Sequence, residues 1–379
     1  MDEAARGNRA GRKRGKRLRN RIFVVGARGI PDVEGGAEKN AERLFPLLVK
    51  RGWDVTLGGL ASNVRGAEYR GVKLVGAPDS RILRTDKLVY YAHALKLARR
   101  LRPDLVHMQG LGSAILLLAY KAMGAKTVVR YGSADYLLPK WGAIGRAGFL
   151  AAEYQLRFAD AVIAVTPALA DRLKGRGIAG NVHVIANATD TGEDFADEAE
   201  PALPPGRYIL AVGRVTQQKN VHRLIEGFNL YAKTRPDVTL AIAGGVDDPA
   251  YMELVQPHLN DRVQLLGRLP RSTLGPLYRR AHAYVNSSIH EGSSNAVLEA
   301  ISWGAPVVLS GIPENRDFGM DERHYFDPED PRAIADAFAR VDADRGAFVA
   351  DRARFPTWDG VADRTAAIYR ELGLVPAGG

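Results

Sequence analysis

Ser287–Ser310 reads SSIHEGSSNAVLEAISWGAPVVLS, and its residue types spell a loop, a helix and a strand. Glu291 stands in a polar, Gly- and Ser-rich loop that follows the apolar run Ala281–Val285. Asn295 is placed to cap a helix whose first turn carries Glu299. Gly304 and Pro306 end that helix, and Val307, Val308 and Leu309 begin a buried strand. The two acids therefore do not share a helix face: the first projects from the loop, and the second lies within about one turn of a helix start.

Free backbone N–H groups and the positive end of a helix macrodipole make an anion site. A carboxylate at each edge can accept hydrogen bonds from sugar hydroxyls. A diphosphate flanked by two sugars would suit such a pocket. The plainer alternative is that Glu299 is a favourable charge in a first helical turn and Glu291 an ordinary loop acid.

The whole stretch resembles the glutamate-seven-residues-glutamate motif of retaining family-4 glycosyltransferases, which have the GT-B fold. The resemblance implies that Glu291 faces the donor sugar and Glu299 holds the nucleotide ribose. Ser294, Asn295 and Ala296, where the helix opens, then join the donor contacts. The family's usual Phe-Gly after the first Glu-Gly is replaced here by Ser293, Ser294 and Asn295.

Upstream, GRVTQQKNVHRLIEGF follows the apolar run RYILAV. Arg214 leaves the end of a strand, and Lys219 lies five residues on, just before a helix containing Leu224, Ile225 and Phe228. Cations at a helix start are disfavoured by the dipole unless an anion is bound. Two cations on a leaving diphosphate would neutralise charge as a glycosidic bond breaks. Gly213, Arg214, Lys219 and Asn220 match the same family's Gly-Arg-x-x-x-x-Lys-Asn donor-phosphate motif. With Glu291, Arg214 and Lys219 form the expected catalytic set.

Near the other end, RIFVVG is a short strand, ARGIPDVEGG a glycine loop, and AEKNAERLFPLLVKRG a helix with Ala37, Ala41, Leu44 and Leu48 on one face. Gly35 and Gly36 at its start permit close approach of backbone N–H groups to a ligand. Their spacing fits neither a dinucleotide fingerprint nor a P-loop. Further alternation follows: strands at DVTLGGL, GVKLVGA, DLVHMQG, KTVVRYG, DAVIAVT and NVHVIAN, and helical stretches at KLVYYAHALKLARRL, SAILLLAYKAMG and around Ala147–Phe158. Such alternation implies a doubly wound parallel sheet, with ligands at the carboxyl ends of its strands.

Between Gly192 and Gly206, GEDFADEAEPALPPG is acidic and proline-rich, the composition of a linker. A second alternating series begins at Arg207 with RYILAVGR. The expected organisation is an arm over 1–20, an N-terminal Rossmann-like acceptor domain over 21–190, a linker over 191–206, a C-terminal nucleotide-sugar domain over 207–357, and a last helix over 358–379 crossing back to the first domain. The fold class is α/β, two doubly wound domains facing across a cleft as in GT-B.

A chain of 379 residues suffices for two domains, and no cysteine means no disulfide and no thiolate chemistry. Nine Lys or Arg against two acids in residues 1–21 give that arm +7 of the chain's net +10. It has no apolar core to make it a signal peptide or a span. Its charge suits an acidic leaflet, at about 1 kcal/mol per basic residue near the surface. It would attract nucleic acid too, but it lacks interleaved aromatics for base stacking.

GARGIPDVEGGAEKNAERLFP and RYGSADYLLPKWG are similar to bacterial exopolysaccharide and O-antigen transferases. That resemblance implies a nucleotide diphosphate sugar as donor, a lipid-linked glycan as acceptor, and a cytoplasmic enzyme peripheral to the inner leaflet. Where many relatives carry a donor-contacting His-Gly, this chain has Tyr131 and Gly132, with Asp135 a further candidate contact. No metal or cofactor is expected, since the family scheme needs none and the single Asp-x-Asp, Asp342–Asp344, lies in an alanine-rich helical segment. His107 and His290 read as structural. A nucleotide-sugar epimerase or a sugar phosphorylase could share this fold, and a nucleic-acid binder would rest on the arm alone.

Overall fold

The computed structural model describes residues 20–33, 35–79, 87–134, 136, 142–189, 204, 206–246, 248–270 and 273–378. The basic arm up to residue 19, most of the expected linker, Asp135, and Leu137, Leu138 and Trp141 of the YLLPKWG stretch lie outside them.

In chain order the first half runs β1 (Arg21–Val25), α1 (Gly36–Lys50), β2 (Asp54–Leu60), β3 (Glu68–Tyr69), β4 (Val72–Ala77), α2 (Lys87–Leu101), β5 (Leu105–Gln109), α3 (Leu117–Ala122), β6 (Lys126–Tyr131), α4 (Ala143–Gln155), β7 (Ala161–Ala164), α5 (Pro167–Gly175) and β8 (Val182–Val184). The second runs β9 (Arg207–Val212), α6 (Val221–Tyr231), β10 (Val238–Ala243), α7 (Pro249–Val255), β11 (Val263–Gly267), α8 (Leu274–Arg280), β12 (Ala283–Asn286), α9 (Asn295–Ser302), β13 (Val307–Ser310), α10 (Pro313–Arg316), β14 (Tyr325–Phe326), α11 (Pro331–Ala343) and α12 (Trp358–Glu371).

Two sheets result. The first has the order β3-β4-β2-β1-β5-β6-β7-β8, and the second β11-β10-β9-β12-β13-β14. Every pairing is parallel except that of the short β3 with β4. Period-2 alternation sends side chains to two buried faces, as a covered parallel sheet requires. Phe23 and Val25 of β1 enter one core cluster, and Ile22 and Val24 the other. The second sheet is likewise covered on both faces.

The strand order reverses beside β1 in the first sheet and beside β9 in the second. Crevices for ligands open at such points, outside the carboxyl ends of the strands. The loops after β1, β9 and β12 leave from those ends, and they carry Gly35 and Gly36, Arg214 and Lys219, and Glu291.

The last helix belongs to the first sheet's core. Trp358, Ala362, Ala366 and Tyr369 pack with Leu44 and Leu48 of α1. Arg51 pairs with Asp359 at 2.9 Å and Asp363 at 2.8 Å, and Tyr369 hydroxyl meets His107 Nδ1 at 2.6 Å. The chain reaches it from a bridge of Val349 to Pro306 in the second half, through one of Thr357 to Thr189 in the first.

One local expectation is corrected. Ser294 occupies the cap position of α9 and Asn295 is its first residue, so Glu299 lies just past the first turn. The expected helical stretch SAILLLAYKAMG is found, as a 3-10 turn over Leu111–Leu116 that runs into the short α3.

Candidate active site

Lys219 is delivered by a short turn whose backbone is stitched to the loop after β12. Ile289 N–H donates to Gln218 carbonyl at 3.0 Å, Gln218 Nε2 to His290 carbonyl at 2.8 Å, and Ser287 Oγ to Lys219 carbonyl at 2.8 Å. Asn220, left-handed at φ 55°, turns the chain into α6 while its side chain donates to Pro328 carbonyl at 2.8 Å. Lys219 Nζ therefore sits 2.5 Å from Glu291 Oε1.

Glu291 is almost wholly buried. Its Oε1 also accepts from Ser288 Oγ at 2.7 Å and Asn286 Nδ2 at 3.3 Å. Burial alone would raise its pKa, but the Lys219 charge and these hydrogen bonds outweigh burial and hold the carboxyl below its ordinary range. A carboxylate is thus maintained beside an ammonium at the carboxyl edge of the second sheet.

Glu299 connects the two halves. Lys39 Nζ, from the first turn of α1, lies 2.5 Å from Glu299 Oε1, and both side chains are largely buried. Tyr278 hydroxyl donates to Oε2 at 2.9 Å. Nearby, a Cβ built on Gly36 would lie 3.4 Å from Asn295 Nδ2. Asn295 Oδ1 accepts from Asn187 Nδ2 at 3.0 Å, and Asn187 Oδ1 from the buried Arg130 guanidinium at 2.6 Å. Burial pulls the Arg130 pKa down to about 10.

The loops also meet backbone to backbone. A Cβ on Gly292 would fall 1.8 Å from Gly132 carbonyl oxygen, so only glycine permits this approach. On the first side, Glu38 accepts from Arg28 N–H and Arg28 Nε, both at 3.0 Å, closing the loop after β1. Gly35 there has φ 142°, with Glu38 Oε2 only 2.0 Å from any Cβ it might carry. A cavity of about 140 Å³ between the halves is lined by residues that include Asn187, Ser293 and Leu298.

Lys219, Glu291, Ser294, Asn295, Ala296, Glu299 and Gly36 are thus gathered at α9 and the loop before it. Gly35 and Gly36 are exposed at the start of α1, Ser294 is buried with its Oγ accepting from Asn286 Nδ2 at 3.2 Å, and Ala296 is half-buried in the first turn of α9. Arg214 is exposed just beyond β9. Tyr131 lies apart from them, wholly buried in the first sheet's core with Phe149 and Tyr136; the part of its segment that reaches the second half is Gly132. Asp342 anchors a structural network, accepting from Arg207, Arg235, Tyr231 and His282. His290 lies 3.1 Å from Glu314.

Lys39, Tyr278, Asn187 and Ser288 were not among the residues singled out from the sequence. Asn187 carries a usable signal, because it is a polar residue just after the carboxyl end of a strand.

Residues 34–193 match the family model described as Glycosyltransferase Family 4, and residues 206–344 that described as Glycosyl transferases group 1. The chain is a family-4-type glycosyltransferase. This glycosyltransferase is 26% identical over 316 residues to the lipopolysaccharide core biosynthesis glycosyltransferase LpsE of Rhizobium meliloti, covering 81% of this chain and 82% of the relative. Among solved structures it is similar to sucrose-phosphate synthase from Thermosynechococcus elongatus, with TM-score 0.75 and 20% identity over 93% of this chain and 98% of that one. It is also similar to Anabaena HepE in complex with UDP and glucose, with TM-score 0.71 and 17% identity over 92% and 98%. The two parallel sheets and these likenesses establish the GT-B fold.

Proposed function

We propose that this glycosyltransferase moves a hexosyl or deoxyhexosyl unit from a nucleotide diphosphate sugar to a lipid-linked glycan in bacterial surface polysaccharide synthesis, with retention at the anomeric carbon. The observation that carries the reading is the convergence of Lys219–Glu291 and Lys39–Glu299 at the facing carboxyl edges of the two sheets. The UDP-and-glucose complex of the fold neighbour HepE and the saccharide chemistry in the name of LpsE support it.

In this scheme Arg214 and Lys219 hold the diphosphate, with the N–H groups of Ser294, Asn295 and Ala296 adding donors at the start of α9. Glu299 keeps Tyr278 and takes ribose hydroxyls, which requires Lys39 to yield a coordination position. Glu291 faces the donor sugar, and Gly35 and Gly36 approach the phosphates from the first half. As the bond from the anomeric carbon to phosphate oxygen breaks, Lys219 and Arg214 neutralise the charge that develops. The acceptor oxygen bonds to that carbon on the same face, and its proton passes to the leaving phosphate. Two cations of the chain carry the charge, so the scheme calls for no metal.

Among the described residues no helix is long and apolar enough to cross a membrane. The basic arm suits peripheral attachment at the inner face of the cytoplasmic membrane. The donor is tested by thermal stabilisation of wild type and Glu299→Ala across UDP-, GDP-, ADP- and dTDP-sugars. At a hundredfold over its dissociation constant a ligand adds about 2.7 kcal/mol of stability. A shift with one nucleotide family, lost in Glu299→Ala, is expected; no shift with any donor would overturn the reading.

A further inference from the structure

Exposed apolar side chains gather on one surface of the first half. Ile115 and Leu118, on the 3-10 turn and α3, stand beside Ile144, Leu150, Tyr154 and Phe158 on α4 and the turn that follows it, with Ile144 91% and Tyr154 56% exposed. Gln155 binds the two elements together: its Nε2 donates to Ile115 carbonyl at 3.0 Å, and its Oε1 accepts from Leu118 N–H at 3.3 Å. From Gly142 to Phe158 the only acid is Glu153, and it is buried, whereas Arg146 and Arg157 are exposed. The Arg157 guanidinium lies 3.7 Å over the Tyr154 ring. An apolar ridge flanked by cations, with no exposed acid along α4, has the composition of an interfacial membrane helix.

Beside this ridge, at the amino edge of the same sheet, is a cavity of about 420 Å³. Arg21, Arg99 and Arg102 line it, together with Val106, Met123 and Tyr120. Its single carboxylate, Asp104, already accepts from Arg21 N–H at 3.2 Å. Tyr120 is fully buried, and its hydroxyl has no hydrogen-bond partner among the described residues. A buried donor left unpaired is costly unless something fills its place. Met123 both lines the cavity and is exposed next to α3, so ridge and cavity are continuous.

We propose that the α3–α4 face docks on an anionic bilayer: the ridge enters the boundary between headgroups and acyl chains, and the arginine cavity takes the phosphate of an anionic lipid with Tyr120 donating to it. The inference rests on the proposed lipid-linked acceptor and is independent of the donor. It places folded surface, and not the basic arm alone, against the membrane. Since α4 sets out from the loop after β6, where Gly132 meets Gly292, a bilayer lying along it reaches the rim of the site.

The test is flotation of the full chain with neutral phosphatidylcholine vesicles and with vesicles enriched in phosphatidylglycerol. Leu150→Glu with Tyr154→Glu should lower partitioning onto both by about tenfold or more, since binding follows the apolar area inserted. Arg99→Glu with Arg102→Glu should spare the neutral vesicles and cost roughly fivefold or more per arginine on the anionic ones. Both variants should keep the wild-type melting temperature and donor stabilisation, which separates this result from the donor assignment. Three outcomes overturn the proposal: wild type that floats with neither vesicle; wild-type flotation by both variants, with loss only on deleting residues 1–19; or a dimer in wild type dispersed by the Leu150 and Tyr154 changes while flotation is unchanged, which would make this face a contact between copies.

Discussion

Glu291→Gln removes a charge and almost no volume, and its consequence for ligand binding runs against intuition. In the free protein the carboxylate lies 2.5 Å from Lys219 Nζ. A phosphate oxygen taking the far side of that ammonium would sit about 5 Å from the carboxylate, and two like charges there repel by roughly 3 kcal/mol at an effective dielectric of about 20. Lys219 is 22% exposed, so solvent and salt leave roughly 1–2 kcal/mol of that repulsion. Free nucleoside diphosphate should therefore bind Glu291→Gln about tenfold more tightly than wild type by titration calorimetry, while sugar transfer falls sharply. Because the folded carboxyl is held below its ordinary range, the difference should persist from neutral pH down through the usual carboxylate range and close only below it. The stability contributed by the pair follows the same sign: present above the unfolded pKa and lost as pH falls through the folded one. Weaker binding by the variant would rule out this competition and would mean that Glu291 holds Lys219 in place for the phosphate.

Removing Lys39 leaves the largely buried Glu299 with Tyr278 as its partner among the described residues. Lys39→Ala should cost about 2–3 kcal/mol in chemical denaturation, with the double variant Lys39→Ala, Glu299→Ala recovering much of that loss; strictly additive losses would contradict the pairing. Gly292→Ala forces a Cβ onto Gly132 carbonyl, so about 1–3 kcal/mol of stability and most transfer activity should go together, and wild-type activity would sink this account of the loop contact. His107 is pulled down to about 3, by burial first and by Arg130 second. Its folded pKa lies below the unfolded value near 6.5, so the unfolded chain binds the extra proton between them. Stability should be complete above about pH 6.5 and decline toward pH 3 by at most about 1.4 kcal/mol per pH unit. His107→Gln should flatten that slope, and an unchanged slope would show that the titration belongs elsewhere.

Strand positions were legible because the parallel strands are short runs rich in apolar residues, several of them followed by glycine or a polar residue. RYILAVGR becomes β9 with Gly213 beyond it, and AYVNSS becomes β12 with Asn286 at its end. The carboxyl-edge rule then indicated which loops matter. Lys39 stayed hidden because it falls off the stripe of Ala37, Ala41, Leu44 and Leu48 and reads as a solvated charge; its burial is decided by Glu299, 260 residues away. The same holds for Tyr278, whose place on α8 says nothing of the carboxylate it meets on α9. Asn295 reads as a cap because local propensity favours it, but the cap position goes to Ser294, and the Asn295 side chain is drawn instead to Asn187 across the two halves. Non-local pairing overrides local preference where two domains meet.

Retaining transfer to a lipid-linked acceptor is tested by supplying the stabilising nucleotide sugar together with a lipid-diphosphate-linked saccharide, with a chelator present, and reading the anomeric configuration of the product by NMR. The expected product is a saccharide lengthened by one sugar that keeps the donor's configuration, with its yield sharply reduced in Glu291→Gln. An inverted linkage, or a donor converted without any acceptor, would contradict it.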